Sequence, residues 1–439
     1  MDDRWLYPWA LGSVAFGGAS LLVPLYAVQL GASAVQLGLL ASAAAIAGAP
    51  GAIVFGRLAD RVASRRPLVL GTLGVVAACL AVIPFLGSVT AIIITNAVLW
   101  LVIAAVAPVV TMIVVDAAPE PTWAGRIGRL NKFQGYGWAG GLLIGTVWPA
   151  FVGQFVDAET GTRTLFWTLA AAGLLSAVGT AWTLPDPDRH VTNTGRIERV
   201  GRLLTTSRRG IRGATVVFAP NRLYWSTRTF RPGRLRQRFT PALATYLLAA
   251  GLFLTGSAAF WAPLPLVLTD VEFDSGMVFA LYLLASLGSA VLYEPAGRLA
   301  ERFDLRRLQT GALVVRAIGL PAVALAAAVG AFALRLGLVG VALTIVGATW
   351  GVMAVVGTAI VTRLAPPGIR GEVLGIHAAL GAVAGAIGGV LGGWVAEFGY
   401  LPAFVVAGGL VLAGGGLVYS LRSLAEDAPE RPIEPSSPL

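Results

Sequence analysis

The stretch GRLADRVASRR at residues 56–66 returns as GRLAERFDLRR at residues 297–307, an offset of 241 positions. Seven of the eleven positions are identical, and an eighth exchanges aspartate for glutamate. The same offset superposes Pro24 on Pro265, so the register extends over a whole segment before each copy. Each copy links two long apolar segments. A constant offset over this length predicts that the chain consists of two duplicated halves.

The composition is that of a membrane protein. Of the 439 residues, 56% are hydrophobic and 12% are charged, too few polar side chains to cover a soluble protein of this size. One cysteine, Cys79, and two histidines predict neither a disulfide framework nor a metal site. No phosphate-binding G-x-x-x-x-G-K-S/T pattern occurs, so we expect no ATP hydrolysis, no other enzymatic activity and no cofactor.

Apolar segments long enough to cross about 30 Å of hydrocarbon recur along the chain. The predicted spans are residues 5–30, 37–57, 67–87, 90–115, 133–155, 164–184, 241–268, 277–298, 308–330, 336–362, 373–397 and 400–421. Six precede the polar centre of the chain and six follow it. The fold class is therefore predicted to be an all-α integral membrane protein with 12 transmembrane helices in two six-helix bundles.

The predicted domains are an N-terminal bundle at 1–184, a central loop at 185–240, a C-terminal bundle at 241–424 and a disordered tail at 425–439. An even number of spans places both termini on one side of the membrane. With the termini and the central loop inside, 29 of the 32 basic residues lie on the inner side. Because basic residues concentrate in cytoplasmic loops, both termini are predicted to be cytoplasmic, in a multi-pass protein of the cell membrane.

These features together resemble the Major Facilitator Superfamily (MFS). The G-R-L-A-D-R-x-x-x-R-R stretch follows the second predicted span, and its degenerate copy follows the eighth. Ala63 and Ser64 depart from the family pattern, which has glycine and a basic residue there. The resemblance implies a transporter whose halves are related by an axis along the membrane normal, with a small-molecule substrate bound near the midplane between them.

The repeated motif is interpreted as a gate, and the resemblance implies that it latches the inner face in the outward-open state. Its glycines would let helices approach closely, and Asp60 would accept hydrogen bonds at the N-terminus of a neighbouring helix. The alternative is that the arginines only set the topology, which we favour for Arg57 and Arg66. The predicted gating residues are Gly56, Asp60, Arg61 and Arg65, with Gly297, Glu301, Arg302 and Arg306 in the second copy.

Charged residues within or beside the spans form a predicted inner charge network, which consists of Asp116, Arg126, Glu294 and Arg316. Intramembrane charges tend to pair with one another or to mark a functional site. Glu294 and Arg316 could pair across their helical hairpin, or Arg316 could extend its charge to the inner interface. We favour a structural role for this network.

A second, weaker repeat aligns Asn131, just before the fifth predicted span, with His377 on the eleventh. The unperturbed pKa of histidine lies near neutrality, so His377 is the candidate proton-sensitive group, with Asn131 as its partner position. The pair would allow coupling to protons or another ion. The alternative is a neutral His377 that is hydrogen-bonded to a backbone carbonyl.

By resemblance, the first, fourth, seventh and tenth spans line the substrate path. The candidate path residues are Tyr26, Gln29, Asn96, Trp100, Trp261 and Trp350. No acidic residue lies at mid-depth on these spans, and a buried carboxylate is the usual proton carrier or counter-ion for a cation. Aromatic and hydroxyl groups suit a neutral or amphipathic solute, so export of such a compound is the preferred function. Uptake of a sugar or other metabolite, and a non-transporting receptor or scaffold, are the alternatives.

The central loop contains 13 arginines and three acidic residues, with aromatic residues among them. Such a pattern can indicate nucleic-acid binding. Because the loop is tethered to the membrane at both ends, we instead predict contact with anionic lipid headgroups and no nucleic-acid partner.

Overall fold

The computed structural model describes residues 4–62, 64–116, 123–184, 240–365 and 370–421. Thirteen α-helices and no β-strand occupy these residues. The predicted central loop and tail lie outside the described residues, apart from Thr240 at the end of the loop, so the predictions for them and the domain boundaries remain predictions. The all-helical membrane fold is confirmed.

Six helices form the N-terminal half. They are α1 (Leu6–Gln29), α2 (Ala34–Arg61), α3 (Arg66–Val82), α4 (Val89–Asp116), α5 (Trp123–Val152) and α6 (Ala158–Thr183). One turn of 3₁₀-helix, Ile83–Phe85, extends α3.

Seven helices form the C-terminal half. They are α7 (Pro241–Trp261), α8 (Leu264–Asp270), α9 (Ser275–Arg302), α10 (Leu305–Ala327), α11 (Phe332–Leu364), α12 (Arg370–Ala396) and α13 (Tyr400–Ser420).

The sequence repeat is also a repeat of helix boundaries. Helices α2 and α9 have 28 residues each, and their first and last residues differ by the same 241 positions as the motif. Their N-caps are equivalent: the Ser33 side chain accepts a hydrogen bond from the Gln36 amide, and Asp274 accepts one from Met277. Side chains that accept these otherwise unpaired amide protons fix where each helix begins, so the duplication includes the start of each helix.

The motif itself is mostly helical, so α2 and α9 extend a few residues beyond the predicted span ends at 57 and 298. Residues 56–61 are the last turns of α2, and residues 297–302 are the last turns of α9. Hydropathy locates only the part of a helix within hydrocarbon, whereas the backbone hydrogen bonds continue into the polar interface. Only residues 62–65 and 303–304 connect the helices of each hairpin.

The seventh predicted span is two helices. Helix α7 ends at Trp261 and α8 begins at Leu264. Pro263 and Pro265 lack the backbone N–H that a continuous helix needs, and their rings clash with the carbonyl four residues earlier. Together, α7 and α8 are still long and apolar enough to cross a membrane.

Eleven candidate spans occur in the described residues. The helix outside this set is α5, which is long enough at 30 residues but begins with a polar segment that includes Arg126, Arg129 and Lys132. These charges, and the glycine and tryptophan residues that follow them, reduce its mean hydropathy. Helix α5 nevertheless packs along α1 in the N-terminal half and along α9 of the C-terminal half.

The two halves pack against each other through the pairs α2–α12, α5–α9 and α1–α8. We call the end of the bundle that holds the start of α1 and the end of α13 the proximal end, and the opposite end the distal end. A Cβ atom added to Gly38 on α2 would lie 2.4 Å from the Gly389 carbonyl oxygen of α12. Likewise, a Cβ atom added to Gly145 on α5 would lie 2.4 Å from the Phe279 ring of α9. Both contacts are at the distal end.

Candidate functional site

Partly exposed aromatic side chains lie on helices of both halves. In the N-terminal half, the rings of Trp100 on α4 and Trp138 on α5 have centroids 6.3 Å apart. In the C-terminal half, the rings of Trp261 on α7 and Tyr282 on α9 are 5.3 Å apart. All four side chains are half-buried, so each keeps a surface on which an apolar group can pack.

The Trp261–Tyr282 pair lies near the distal end. Trp261 is the last residue of α7, and Tyr282 is in the second turn of α9. The pair bridges these two helices next to the distal contact of α9 with α5. It therefore lies close to the region where the two halves meet.

The distal contact also includes hydrogen bonds between the halves. The Ser42 hydroxyl on α2 donates to the Ala386 carbonyl on α12 at 2.6 Å. The Val35 amide in the first turn of α2 donates to the Glu397 carboxylate, just after α12, at 3.3 Å. A carboxylate at a helix N-terminus is stabilised by the helix dipole, so Glu397 links the halves electrostatically.

Arg316 is fully buried within the C-terminal half. Its Nε donates to the Ser257 hydroxyl of α7 at 3.0 Å. Its Nη1 donates to the Val346 carbonyl at 2.8 Å and the Thr349 hydroxyl at 3.2 Å, both on α11. The guanidinium carbon lies 5.5 Å from the centre of the Trp350 ring. Three helices thus position one cation beside a candidate path residue.

This geometry corrects both expectations for Arg316. The side chain is 0% exposed, so it does not reach the inner interface. It does not pair with Glu294, which instead forms an exposed salt bridge with Arg298 at 2.5 Å. Positions 294 and 298 are four residues apart on α9 and share a helix face. Of the rest of the predicted charge network, Arg126 is half-buried on α5, and the side chain of Asp116 lies outside the described residues.

Three predicted path residues hold the N-terminal half together. The Tyr26 hydroxyl donates to the Pro84 carbonyl at 3.1 Å, and the Gln29 amide donates to the Thr162 hydroxyl at 3.1 Å. The Asn96 amide approaches the Leu40 carbonyl at 3.5 Å. Each contact joins two helices of the same half. The candidates whose exposure leaves room for a solute are therefore Trp100, Trp261 and Trp350.

His377 lies on α12 beside a buried polar cluster. Its ring centroid is 6.2 Å from that of Tyr246 on α7. The Tyr246 hydroxyl and both polar atoms of the Gln309 side chain are buried with no hydrogen-bond partner among the described residues. A Cβ atom added to Gly357 would lie 2.9 Å from the Tyr246 hydroxyl and 3.7 Å from the Gln309 nitrogen. Asn131 is half-buried on α5.

In the second motif copy, Arg306 connects the start of α10 to the end of α13. The Arg306 guanidinium donates to the Asp304 carboxylate at 2.9 Å and to the Leu421 carbonyl at the end of α13. The hydrogen bonds from Arg306 hold the pKa of the Asp304 carboxyl below its usual value. Glu301 and Arg302 are exposed.

In the first copy, Arg65 is buried and its Nε donates to the Ala59 carbonyl at 3.1 Å. The side-chain positions of Gly56, Asp60 and Arg61 lie outside the described residues. The predicted close approach at Gly297 is not observed among the described residues, because a Cβ atom added there meets none of their atoms within 4 Å. Close approach between the halves occurs at the distal end instead.

Sequence reasoning missed Trp138, Tyr282, Gln309 and the cross-half bond of Glu397. A polar residue inside an apolar span is a signal that could have identified Gln309. Trp138 and Tyr282 have no such signal, because aromatic residues occur throughout the spans. Among the described residues, no group of three or more histidine, cysteine or acidic side chains could hold a metal ion.

Solved structures with the same fold include several transporters. The chain is similar to a mutant of the nucleoside transporter NupG, with TM-score 0.69, 13% identity and coverage of 95% of this chain and 98% of that one. It is also similar to a bacterial homologue of the human lysosomal transporter Spinster in an inward-facing and unoccupied conformation, with TM-score 0.65, 14% identity and coverage of 94% and 93%. A third is the proton:xylose symporter XylE, with TM-score 0.57, 15% identity and coverage of 96% and 98%.

Sequence comparison identifies the family directly. No curated protein sequence matches the chain. The sequence model described as Major Facilitator Superfamily matches residues 9–285 and 246–438, which together cover nearly the whole chain. The resemblance carried by the repeated motif is thus confirmed. The chain belongs to the Major Facilitator Superfamily and is a multi-span membrane transporter, not an enzyme.

Proposed function

We propose that the protein exports a small amphipathic compound from the cell by alternating access. The observation that carries this proposal is the set of half-buried aromatic side chains on both halves, with Trp100 and Trp138 on one and Trp261, Tyr282 and Trp350 on the other. Aromatic faces bind apolar surface, while a few polar groups orient the solute. An amphipathic molecule between the halves would pack its apolar part on the aromatic faces and bind the polar groups with its polar part.

We further propose that the structure represents the state open to the cytoplasm. The predicted orientation, which rests on the basic residues, makes the distal end the outer end. The halves are crowded there, as the Gly38 and Gly145 contacts show. Toward the proximal ends of α5 and α9, a Cβ atom added to Gly128, Gly135 or Gly297 meets no atom of the described part of the chain within 4 Å. Along α5 and α9, the halves are thus in close contact at the distal end and have free space at the proximal end. This difference supports separation of the halves on the inner side.

The transport cycle then requires the distal contacts to break when the path opens outward. The Glu397 bond to α2 is a contact that the outward-open state would lose. In that state the proximal ends would meet, and the motif residues Asp60, Arg61 and Arg65 would form the latch that the family resemblance implies. The Arg306 hydrogen bonds to Asp304 and Leu421 lie within the C-terminal half, so they would persist in both states.

Uptake of a sugar or another metabolite is the second candidate function. It is supported by the similar structures, which include a proton:xylose symporter and a nucleoside transporter. Proton coupling through His377 is compatible with either direction of transport. This half-buried histidine has its ring centroid 6.2 Å from that of the buried Tyr246. A receptor or scaffold role has no specific observation in its favour.

Vesicles of defined orientation test the direction and the solute class together. Everted membrane vesicles containing the full chain should accumulate a fluorescent amphipathic probe, and Trp261→Ala should abolish this. Trp182→Ala is the matched control, because Trp182 is 83% exposed at the end of α6. Accumulation of labelled sugar by right-side-out vesicles, without probe export by everted ones, would instead establish uptake.

A further inference from the structure

Arg316 is a buried cation for which the described residues supply no buried anion. None of the described carboxylates lies within salt-bridge distance of it, and its acceptors are two hydroxyls and one carbonyl, all neutral. Its Nη2 is buried and has no hydrogen-bond partner among the described residues. The guanidinium therefore has one unused donor group within the C-terminal bundle.

An unpaired buried charge is costly. Arginine stays protonated under physiological conditions, and removal of one ion from water costs several kcal/mol that neutral hydrogen bonds only partly offset. A buried arginine is normally compensated by a carboxylate or phosphate that matches its planar donors. Because the described part of the chain supplies no such group, the compensating anion must come from elsewhere.

The surroundings of Arg316 are organised to hold the guanidinium in place. The Ser257 hydroxyl donates to the Phe253 carbonyl at 2.8 Å, and the Thr349 hydroxyl donates to the Val346 carbonyl at 2.7 Å. Each hydroxyl hydrogen is thus directed to its own helix, which leaves the oxygen lone pairs for Arg316. The cation is fixed along its Nε and Nη1 donors, while Nη2 remains available.

We propose that Arg316 binds an anionic group, such as a carboxylate, of the transported compound. Nη2 would donate to the anion, and the Trp350 ring would pack against the apolar body of the solute. Trp350 is half-buried and lies over the guanidinium, so a change in its side-chain rotamer would open the way to Nη2. This inference rests on the proposed function and narrows its solute class to amphipathic anions. A free inorganic anion such as chloride offers the same chemistry.

A methionine substitution separates binding from a structural role. Arg316→Met keeps the length of the side chain and removes the charge. The hydroxyls of Ser257 and Thr349 keep their own-helix acceptors, so the substitution leaves neither of them unpaired. If Arg316 serves a ligand, the melting temperature without ligand should stay equal or rise, because an uncompensated charge is gone. If Arg316 is a purely structural group, the melting temperature should fall.

Thermal unfolding of the full-length protein in detergent, without added chloride, provides the test. The probes are phenylbutyrate with its neutral amide, octanoate with octanamide, and sodium chloride. We expect an acid to raise the melting temperature of the wild type in a saturable manner, and its amide to do so much less. Arg316→Met should weaken the apparent affinity for the acid at least tenfold, and Arg316→Lys should weaken it less.

Arg335→Met is the matched control, because it removes an arginine from the distal part of α11, where Arg335 packs on Phe273 and Phe332. It should respond to the acids as the wild type does. An Arg316-dependent shift with chloride alone would support the anion site and assign it to an inorganic ion.

The proposal is overturned if no anion stabilises the wild type more than its neutral counterpart does, or if Arg316→Met keeps the full response. If the anion site is overturned in this way, export of a neutral amphipathic probe by Arg316→Met vesicles would show that the proposed export function still holds. If wild-type vesicles export no probe of any charge, the proposed function fails independently of the anion site.

Discussion

Replacement of Gly38 by alanine should shift the protein toward the state that is open at the distal end. The added Cβ atom would lie 2.4 Å from the Gly389 carbonyl oxygen and 3.1 Å from the Gly393 Cα atom. These are backbone atoms of α12, so the two helices must separate by about 1 Å to restore ordinary contact. Overpacking of this kind typically costs about 1–3 kcal/mol. Only the state with its distal ends in contact bears this cost, so the equilibrium should shift by about 5- to 150-fold.

A second substitution on the same helix provides the control. A Cβ atom added to Gly51 would also lie 2.4 Å from a carbonyl oxygen, that of Leu101 on α4. Both helices belong to the N-terminal half, so both conformations bear the cost. Gly51→Ala should therefore lower the melting temperature without changing the conformational equilibrium. Gly71→Ala, where the new Cβ atom meets no described atom within 4 Å, should leave the conformational equilibrium unchanged and should not lower the melting temperature.

Pulsed electron resonance between nitroxide labels can measure the shift. Suitable label sites are Phe155 after α5 and Phe398 after α12, which are 84% and 69% exposed at the distal end, one on each half. Cys79 would be replaced by serine. Gly38→Ala should add a population at longer distance, and Gly51→Ala should not. Identical distance distributions for wild type and Gly38→Ala, with the same loss of melting temperature as in Gly51→Ala, would refute the reasoning.

Three further substitutions test other contacts. Glu397→Gln weakens the electrostatic link to the Val35 amide, so the population open at the distal end should rise about two- to five-fold, as measured with the same labels. Asp304→Asn should lower the melting temperature at neutral pH. Hydrogen bonds from Arg306 hold the pKa of Asp304 below its usual value. The difference in melting temperature between the wild type and Asp304→Asn should therefore be complete above about pH 4. It should disappear as the pH falls through the lower native pKa. Gln309→Leu replaces a buried amide that no described residue satisfies, so its melting temperature should equal or exceed that of the wild type.

The fold was predictable because the membrane imposes a simple length rule and the duplication provides an internal check. The predicted second and eighth spans fall inside α2 and α9, and the offset of 241 between the motif copies is also the offset between those helix ends. The helix boundaries differ from the predicted span ends where hydropathy has no information. It cannot detect helix that continues beyond the hydrocarbon at the motif, and it does not register the missing N–H groups at Pro263 and Pro265.

The site was less predictable for a physical reason. In a soluble protein, polarity separates the buried face of a helix from the exposed face. In a membrane, lipid-facing and protein-facing surfaces are both apolar, so the sequence cannot show which face of α1 or α4 meets the path. Tyr26 and Asn96 were therefore expected in the path, although their polar atoms join helices within the N-terminal half. Arg316 was identified as unusual, but its partners come from α7 and α11, far apart in sequence.

The duplication preserves the scaffold but not the chemistry around Arg316. At the same offset, Arg316 corresponds to Val75 and Ser257 corresponds to Phe16. Val75 is partly exposed on α3, whereas Phe16 is buried in α1. The Arg316 site therefore has no counterpart at the equivalent positions of the N-terminal half. An anion bound there would remain attached to that half as the halves move, and the rest of the solute would meet the Trp100–Trp138 pair only when the halves close around it.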